Sequence, residues 1–331
     1  MIQSLGDAAL VFLTSAGVCI AVGRFAIQRL AHAQGIAPLR YEDCPPLQAY
    51  QESKRRIPTM GGLFVLAAAI LVSVFGGGLR SLEGWLVFVS IIGCAAIGFW
   101  DDCLKFKGVN AVGLKAVPKL LMALAIGGAI GWVIFQGLSQ EQTLAVPWAR
   151  RAVKLGWGWV PFSMMVIAGC AHAVNLTDGM DGLACGCVAI ALMALAVWVI
   201  VSRNAAGSLL VWCAALAGAS VGFLWFNSFP ASVFLGDVGA LGLGGAVGAI
   251  SLFSRTSLWL LIIGGVFVVE AVSVMLQVAS YKWRGKKRIF RVAPIHHHFH
   301  LGGISEPKLI VRFWIVALIL AMLSLAALEL S

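Results

Sequence analysis

Ten runs of mostly apolar residues, each about 18 or more long, leave this chain few ways to fold. They lie near 7–28, 60–78, 83–100, 117–136, 159–176, 183–201, 207–226, 233–253, 257–277 and 309–328. In hydrocarbon every backbone N–H and C=O has to be satisfied inside the segment, so such runs are expected to be helices that span a membrane. Composition agrees, because 60% apolar and 11% charged residues supply too little polar surface to cover a soluble globule. The expected fold class is an all-α polytopic membrane protein of about ten transmembrane helices. No basic leader precedes the first run and no small-residue cleavage site follows it, so that run is expected to remain as a span. No repeat period, low-complexity stretch or long linker divides residues 1–331, and a single integral-membrane domain is expected.

The loops between the runs form two alternating sets. One set (29–59, 101–116, 177–182, 227–232 and 278–308), taken with Lys119, holds 16 Lys and Arg, against 6 in the other (79–82, 137–158, 202–206 and 254–256). This bias marks the first set as cytoplasmic, and ten spans then put both termini outside. The net charge of +10 is confined to loops beside spans, where it faces anionic headgroups or substrates; no aromatic-interleaved basic domain favours nucleic acid. The outer loop 137–158, with Trp148, Trp157 and Trp159, reads as an interfacial cap. The eight Cys fall mostly inside apolar runs, and Cys185-x-Cys187 matches no zinc or redox spacing, so they read as small buried hydrophobes.

Of fourteen acidic residues, five (Asp101, Asp102, Asp178, Asp181 and Asp237) stand at the cytoplasmic ends of spans, and only Glu270 lies deep in a run. One site at that membrane face is expected. Asn175, Asp178 and Asp181 are spaced three apart, which a helix would gather on one face, and Gly179 and Gly182 would let a ligand reach the backbone. This segment suits a metal bound together with a phosphorylated compound; a polar turn between helices is the plainer alternative. Lys105 follows Asp101 by four residues and Asp102 by three, which predicts an ion-pair partner on their face, although a solvated helix end has the same pattern. Asp237, between Gly236 and Gly239, is by itself a helix cap or a ligand. The run His296-His297-His298 fits no usual zinc spacing and reads better as an anion contact. The blocks Lys54-Arg55-Arg56 and Lys286-Lys287-Arg288 also serve as topology signals.

In order along the chain, Asp101-Asp102-x-x-Lys105, Asn175-Leu176-Thr177-Asp178-Gly179-Met180-Asp181-Gly182, Phe226-Asn227, Phe234-Leu235-Gly236-Asp237-Val238-Gly239 and Ala293-Pro294-Ile295-His296-His297-His298-Phe299 resemble the motifs of the phospho-N-acetylmuramoyl-pentapeptide transferase family. Pro58-Thr59-Met60-Gly61-Gly62 and Ser305-Glu306-Pro307-Lys308 extend the likeness, which covers about residues 54–316. The resemblance implies a magnesium-dependent enzyme of the bacterial inner membrane. It would move phospho-MurNAc-pentapeptide from UDP-MurNAc-pentapeptide to undecaprenyl phosphate, giving lipid I and UMP. It implies Asp237 as the Mg2+ ligand, Asp101 as base or orienter for the lipid phosphate, and Asp102 as its partner. Lys54, Lys105 and Lys119 would hold phosphates; Asn175, Asp178 and Asp181 would position the nucleotide diphosphate. Gly179, Met180, Asn227 and Phe234 would line a uridine pocket, while His296 and His297 would face the sugar phosphate, with Gln277 as a further substrate contact. The lipid bilayer is an implied partner, and a homodimer is left open.

The chain departs from the family pattern at four places. Gln51 stands for His, Arg56-Ile57 for Gly-Thr, Ala240 for Ser, and His300 for Glu. Two rival readings follow. A sister transferase would move phospho-GlcNAc or another amino sugar to the same lipid, against which the triple-His run argues. An anion transporter would carry several charges deep within spans and an inverted repeat, whereas Glu270 is the single acidic residue deep in a run and no repeat is found.

Overall fold

The computed structural model describes residues 5–34, 54–106, 113–137, 143–148, 151–202 and 207–328, with Gln48 and Glu52. Cys44 and Gln51 lie outside the described residues. The long helices are α1 (Leu5–Ala33), α3 (Leu82–Phe106), α4 (Ala116–Gly137), α5 (Trp159–Thr177), α6 (Leu183–Ser202), α7 (Gly207–Asn227), α8 (Gly236–Phe253), α10 (Gly265–Trp283) and α12 (Glu306–Ala326). Each of these nine is long and apolar enough to cross a membrane. Shorter helices are α2 (Gly62–Gly76), α9 (Leu260–Ile263) and α11 (Ile295–His300). The chain is an all-α, multi-pass membrane protein.

The second expected span is the short one. Helix α2 has 15 residues, or about 22 Å at 1.5 Å per residue, and stops where Gly77 turns to a φ of 91°. It nevertheless runs the length of the bundle. Gly62 abuts Gly239 at one end, and beyond the other end the carbonyl of Gly78 accepts from Trp212 Nε1 at 3.0 Å, near the start of α7. The expected span 257–277 is displaced along the chain: α9 ends at Gly264, and α10 continues to Trp283.

Helix α8 is the axle, enclosed along nearly its whole length, whereas α1, α4, α10 and α12 turn apolar faces outward. With Gly at 236, 239, 242, 244, 245 and 248, α8 lets its neighbours come close without large side chains between them. Helix α3 runs antiparallel to it, Gly98 against the Asp237 carbonyl and Ser90 Oγ on the Gly245 carbonyl at 2.8 Å. Helix α5 packs antiparallel on another side, with Cys170 and Ala171 at Gly244 and Ile167 at Gly248. These directions bring residues 58–62, 98–105, 119, 175–182, 227–237 and 306 to the same end of the bundle.

The expected cap at 137–158 contains a hairpin, β1 (Thr143–Val146) paired antiparallel with β2 (Arg151–Lys154), Thr143 opposite Lys154. Trp157 is exposed and packs on Trp132 and Phe135, in keeping with an interfacial position. Trp159 departs from that expectation: as the first residue of α5 it is fully buried against Phe162. The seven described cysteines are free thiols, and all but Cys103 and Cys170 are buried.

Candidate active site

The first group of the site is built where three helix ends meet. Helix α3 carries Asp101, Asp102 and Lys105 in its last turns, α4 brings Lys119 in its first turn, and α8 opens with Asp237. Asp101, Asp102, Lys105 and Asp237 are all buried. Lys105 Nζ contacts Asp101 Oδ2 and lies 3.4 Å from Asp102 Oδ1 and 3.1 Å from Asp237 Oδ2. Lys119 Nζ spans Asp101 Oδ2 at 3.0 Å and Asp237 Oδ2 at 2.9 Å. Backbone donors fix two of the carboxylates: Leu114 N–H donates to Asp101 Oδ1 at 2.6 Å, and Val238 N–H to Asp102 Oδ2 at 3.1 Å. The latter bond crosses Gly236, whose φ is 75° and whose missing side chain leaves space beside Met60 N and Asp102 Oδ2. The spacing argument for Lys105 therefore holds, and Lys119 and Asp237 join the same group from other elements.

Three carboxylates against two ammonium groups leave an excess of negative charge in a buried place. Asp101, Asp102 and Asp237 each offer one oxygen within 4.8 Å of the others, and among the described residues this is the group placed to hold a metal ion. A donor set of carboxylate oxygens suits a hard divalent cation, and the flexible lysine stems can turn their charge to an incoming anion, so the residues fit Mg2+.

A second group lies around Lys54. Its Nζ reaches Asp181 Oδ1 at 2.5 Å and both oxygens of Glu306 at 2.7 and 2.9 Å. Asp181 N–H donates to Glu306 Oε1 at 3.0 Å, and Ala231 N–H to Asp181 Oδ2 at 3.0 Å. Burial pushes the Asp181 carboxyl above the usual carboxylate range, against the pull of Lys54 and Ala231 N–H, and Glu306 adds to the rise. The stretch 227–237 joins the two groups, because Ala231 bonds Asp181 and Asp237 belongs to the first. Pro58–Gly62 is stitched to it by Phe234 N–H on the Pro58 carbonyl (2.8 Å) and Gly61 N–H on the Phe234 carbonyl (2.9 Å).

The helical face expected for Asn175, Asp178 and Asp181 does not form. Helix α5 ends at Thr177, Asp178 caps it, and Asp181 lies in the turn to α6, which Gly182 closes with a φ of 79°. Asn175 and Asp178 are half-buried beside this turn, while Met180 is buried. Gly179 faces the His run: a Cβ there would overlap His296 Nε2. His296 Nδ1 lies 3.0 Å from Glu270 Oε2, His298 Nδ1 accepts from Arg291 N–H at 3.1 Å, and His300 Nδ1 is 3.2 Å from the Ile304 carbonyl. The run thus converges on no common ion. Burial, followed by the charges of His296, His300 and Lys54, pushes the His297 ring down to about 2, so it stays neutral.

Asn227 Nδ2 donates to the Val233 carbonyl at 2.8 Å, which leaves a buried Oδ1 with no hydrogen-bond partner among the described residues. Phe234, the residue after Val233, is half-buried. Gln277 has a different employment from the substrate contact expected: Oε1 accepts from Ile289 and Phe290 N–H and Nε2 donates to the Phe290 carbonyl, all at 3.0 Å. Its amide holds the 284–294 loop.

Comparison with known proteins bears on this arrangement. The sequence profile described as Glycosyl transferase family 4 matches residues 84–255, which carry all five lysines and aspartates of the first group. A phospho-N-acetylmuramoyl-pentapeptide-transferase from Pelobacter propionicus is 42% identical over 96% of this chain and 91% of its own. Proteins of the same description from Citrifermentans bemidjiense (44%, over 83% of this chain and 81% of their length) and Thermodesulfovibrio yellowstonii (43%, over 84% and 81%) agree. The chain belongs to the phospho-N-acetylmuramoyl-pentapeptide transferase family. Two carboxylates of this transferase site escaped the sequence reading as site residues. Glu306 is 252 residues from Lys54 and 125 from Asp181, a distance no local spacing reveals. Glu270 did leave a signal, as the lone carboxylate deep in an apolar run.

Proposed function

We propose that the chain catalyses transfer of phospho-MurNAc-pentapeptide from UDP-MurNAc-pentapeptide to undecaprenyl phosphate, yielding lipid I and UMP, at the cytoplasmic face of a bacterial inner membrane. The observation that carries this reading is the buried Asp101–Asp102–Asp237 group with Lys105 and Lys119 between its carboxylates. Two phosphorylated substrates repel one another, and a site that joins them has to bring cations to their oxygens and hold a carboxylate where the attacking phosphate arrives. Here Lys105 and Lys119 supply two cations on short tethers, and Lys54 a third.

Asp101 orients the lipid phosphate and takes its remaining proton, while Leu114 N–H keeps the carboxylate aimed. Asp102 is held by Val238 N–H and keeps Lys105 in register. An oxygen of the lipid phosphate then forms a bond to the sugar-bearing phosphorus as the bond from that phosphorus to the UMP oxygen breaks. Asp237, with Asp101 and Asp102 beside it, would hold Mg2+, which when bound offsets charge on the diphosphate. Asn175, Asp178 and Asp181 position the diphosphate at the α5–α6 turn. Gly179, Met180 and Phe234 line the uridine pocket, where Asn227 Oδ1 offers the acceptor a uracil imide needs. His296 and His297 face the sugar phosphate. Residues 1–331 act as a single domain with both termini outside.

The test is UMP release by purified protein supplied with UDP-MurNAc-pentapeptide, undecaprenyl phosphate and Mg2+, with UDP-GlcNAc in a parallel reaction. Release from the muramoyl donor alone is expected. Release from UDP-GlcNAc alone would move the chain to the sister transferases, and release from neither would sink the assignment.

A further inference from the structure

Glu270 has no part in the scheme above, yet its position is costly. It lies inside the apolar length of α10, is fully buried, and places Oε2 3.0 Å from Nδ1 of the equally buried His296. A carboxylate within a span persists only with a partner, and as a rule such a residue marks function. Tethering alone does not account for it, because Gln277 already ties the loop before α11 to α10 by three hydrogen bonds. The far side of the imidazole supplies a second observation. His296 Nε2 is buried, has no hydrogen-bond partner among the described residues, and is aimed at Gly179 in the turn that carries Asp178 and Asp181.

The bond made by one ring nitrogen decides what the other can do. A carboxylate accepts, so the pairing with Glu270 puts the proton on Nδ1 and leaves Nε2 as the atom presented to the site. We propose that Glu270 is a positioning residue for the transfer reaction: it fixes the tautomer and ring plane of His296 so that Nε2, left as an acceptor, meets a hydroxyl or amide N–H of the donor's amino sugar. This rests on the transferase reading and deepens it. Gly179 belongs to the same device, since any side chain there would fill the space Nε2 looks into.

Protein labelled with 15N at histidine reports the ring directly, His296 being assigned by the signal lost in His296→Gln. The expected result is one species protonated at Nδ1, a readout that needs no turnover. In Glu270→Gln the carboxamide can turn either its oxygen or its NH2 to the ring, so the signal should divide between tautomers. With it, kcat/KM for the UDP-sugar should fall about 10- to 100-fold. UMP, which lacks the amino sugar, should still protect both proteins against heat equally. Glu270→Leu, which keeps apolar volume, should lose as much rate with UMP protection intact. A wild-type ring bare at Nδ1 or exchanging between tautomers overturns the proposal even if neither variant folds, and so does full kcat/KM in Glu270→Gln. Loss of UMP protection alongside rate would instead assign Glu270 to the fold. Absence of UMP release by the wild type would sink the transferase reading and leave the tautomer result to stand or fall alone.

Discussion

Asn in place of Asp237 keeps the side chain's shape but removes a charge that faces both Lys105 and Lys119. Turnover in Asp237→Asn should drop by at least about 100-fold with an unchanged melting profile, and a magnesium titration of the rate checks it. Asp178→Asn and Asp181→Asn should each weaken the heat protection given by UMP together with the rate; protection at the wild-type level would remove that residue from nucleotide positioning. His297 yields a pH prediction. In the unfolded chain its ring takes a proton near 6.5, whereas in the folded protein it is held down to about 2. Folding therefore excludes a proton, and the resulting stability is present above about pH 6.5 and is lost as pH falls toward 2. From pH 7 to pH 5 the loss amounts to about 2 kcal/mol, and it should shrink in His297→Gln when melting is followed at both values. Asp101, Asp102 and Lys105 were legible in the sequence because they share one helix and its three- and four-residue spacing. Glu306 was not, because its partners come from distant parts of the chain, and Glu270 stood out only by its depth in an apolar run, with nothing in the spacing to name His296 as its partner.

Among elements, the α5–α6 turn is the one whose geometry the site depends on most. A methyl at Gly179 would overlap His296 Nε2, and the ring cannot retreat without leaving Glu270. Gly179→Ala should cost about 1–3 kcal/mol of stability and lower kcat, read from thermal melts and steady-state rates. Spans were readable because apolar length dominates every other signal in a bilayer. Their interruptions were less so: Gly264 ends a helix inside the expected run 257–277, and only the backbone shows that it does. The short hairpin Thr143–Val146/Arg151–Lys154 has no clear period-2 pattern in the sequence, which therefore shows only a loop there. For the turn itself the opposite error arose. A spacing of three suggested a helical face, whereas the Gly on either side of Met180-Asp181 let the chain leave the helix and send Asp181 to Lys54.

For the molecule as a whole, alternation of chain direction brings every group of the site to one end of the bundle, in agreement with the charge bias of the loops. A reporter enzyme that matures only outside the cytoplasm, fused after Ser331, should be active, and the same reporter inserted at Lys286 should be silent; the reverse pattern would invert the proposed topology. The pairing of Lys54 with Glu306 bears on how such a protein is made. Glu306 opens α12, which leaves the ribosome after α1 to α11. Until then the cation has Asp181 without the second carboxylate that also binds the turn's backbone. The nascent chain therefore reaches the membrane with its catalytic end unfinished, and insertion of α12 is also the step that closes it.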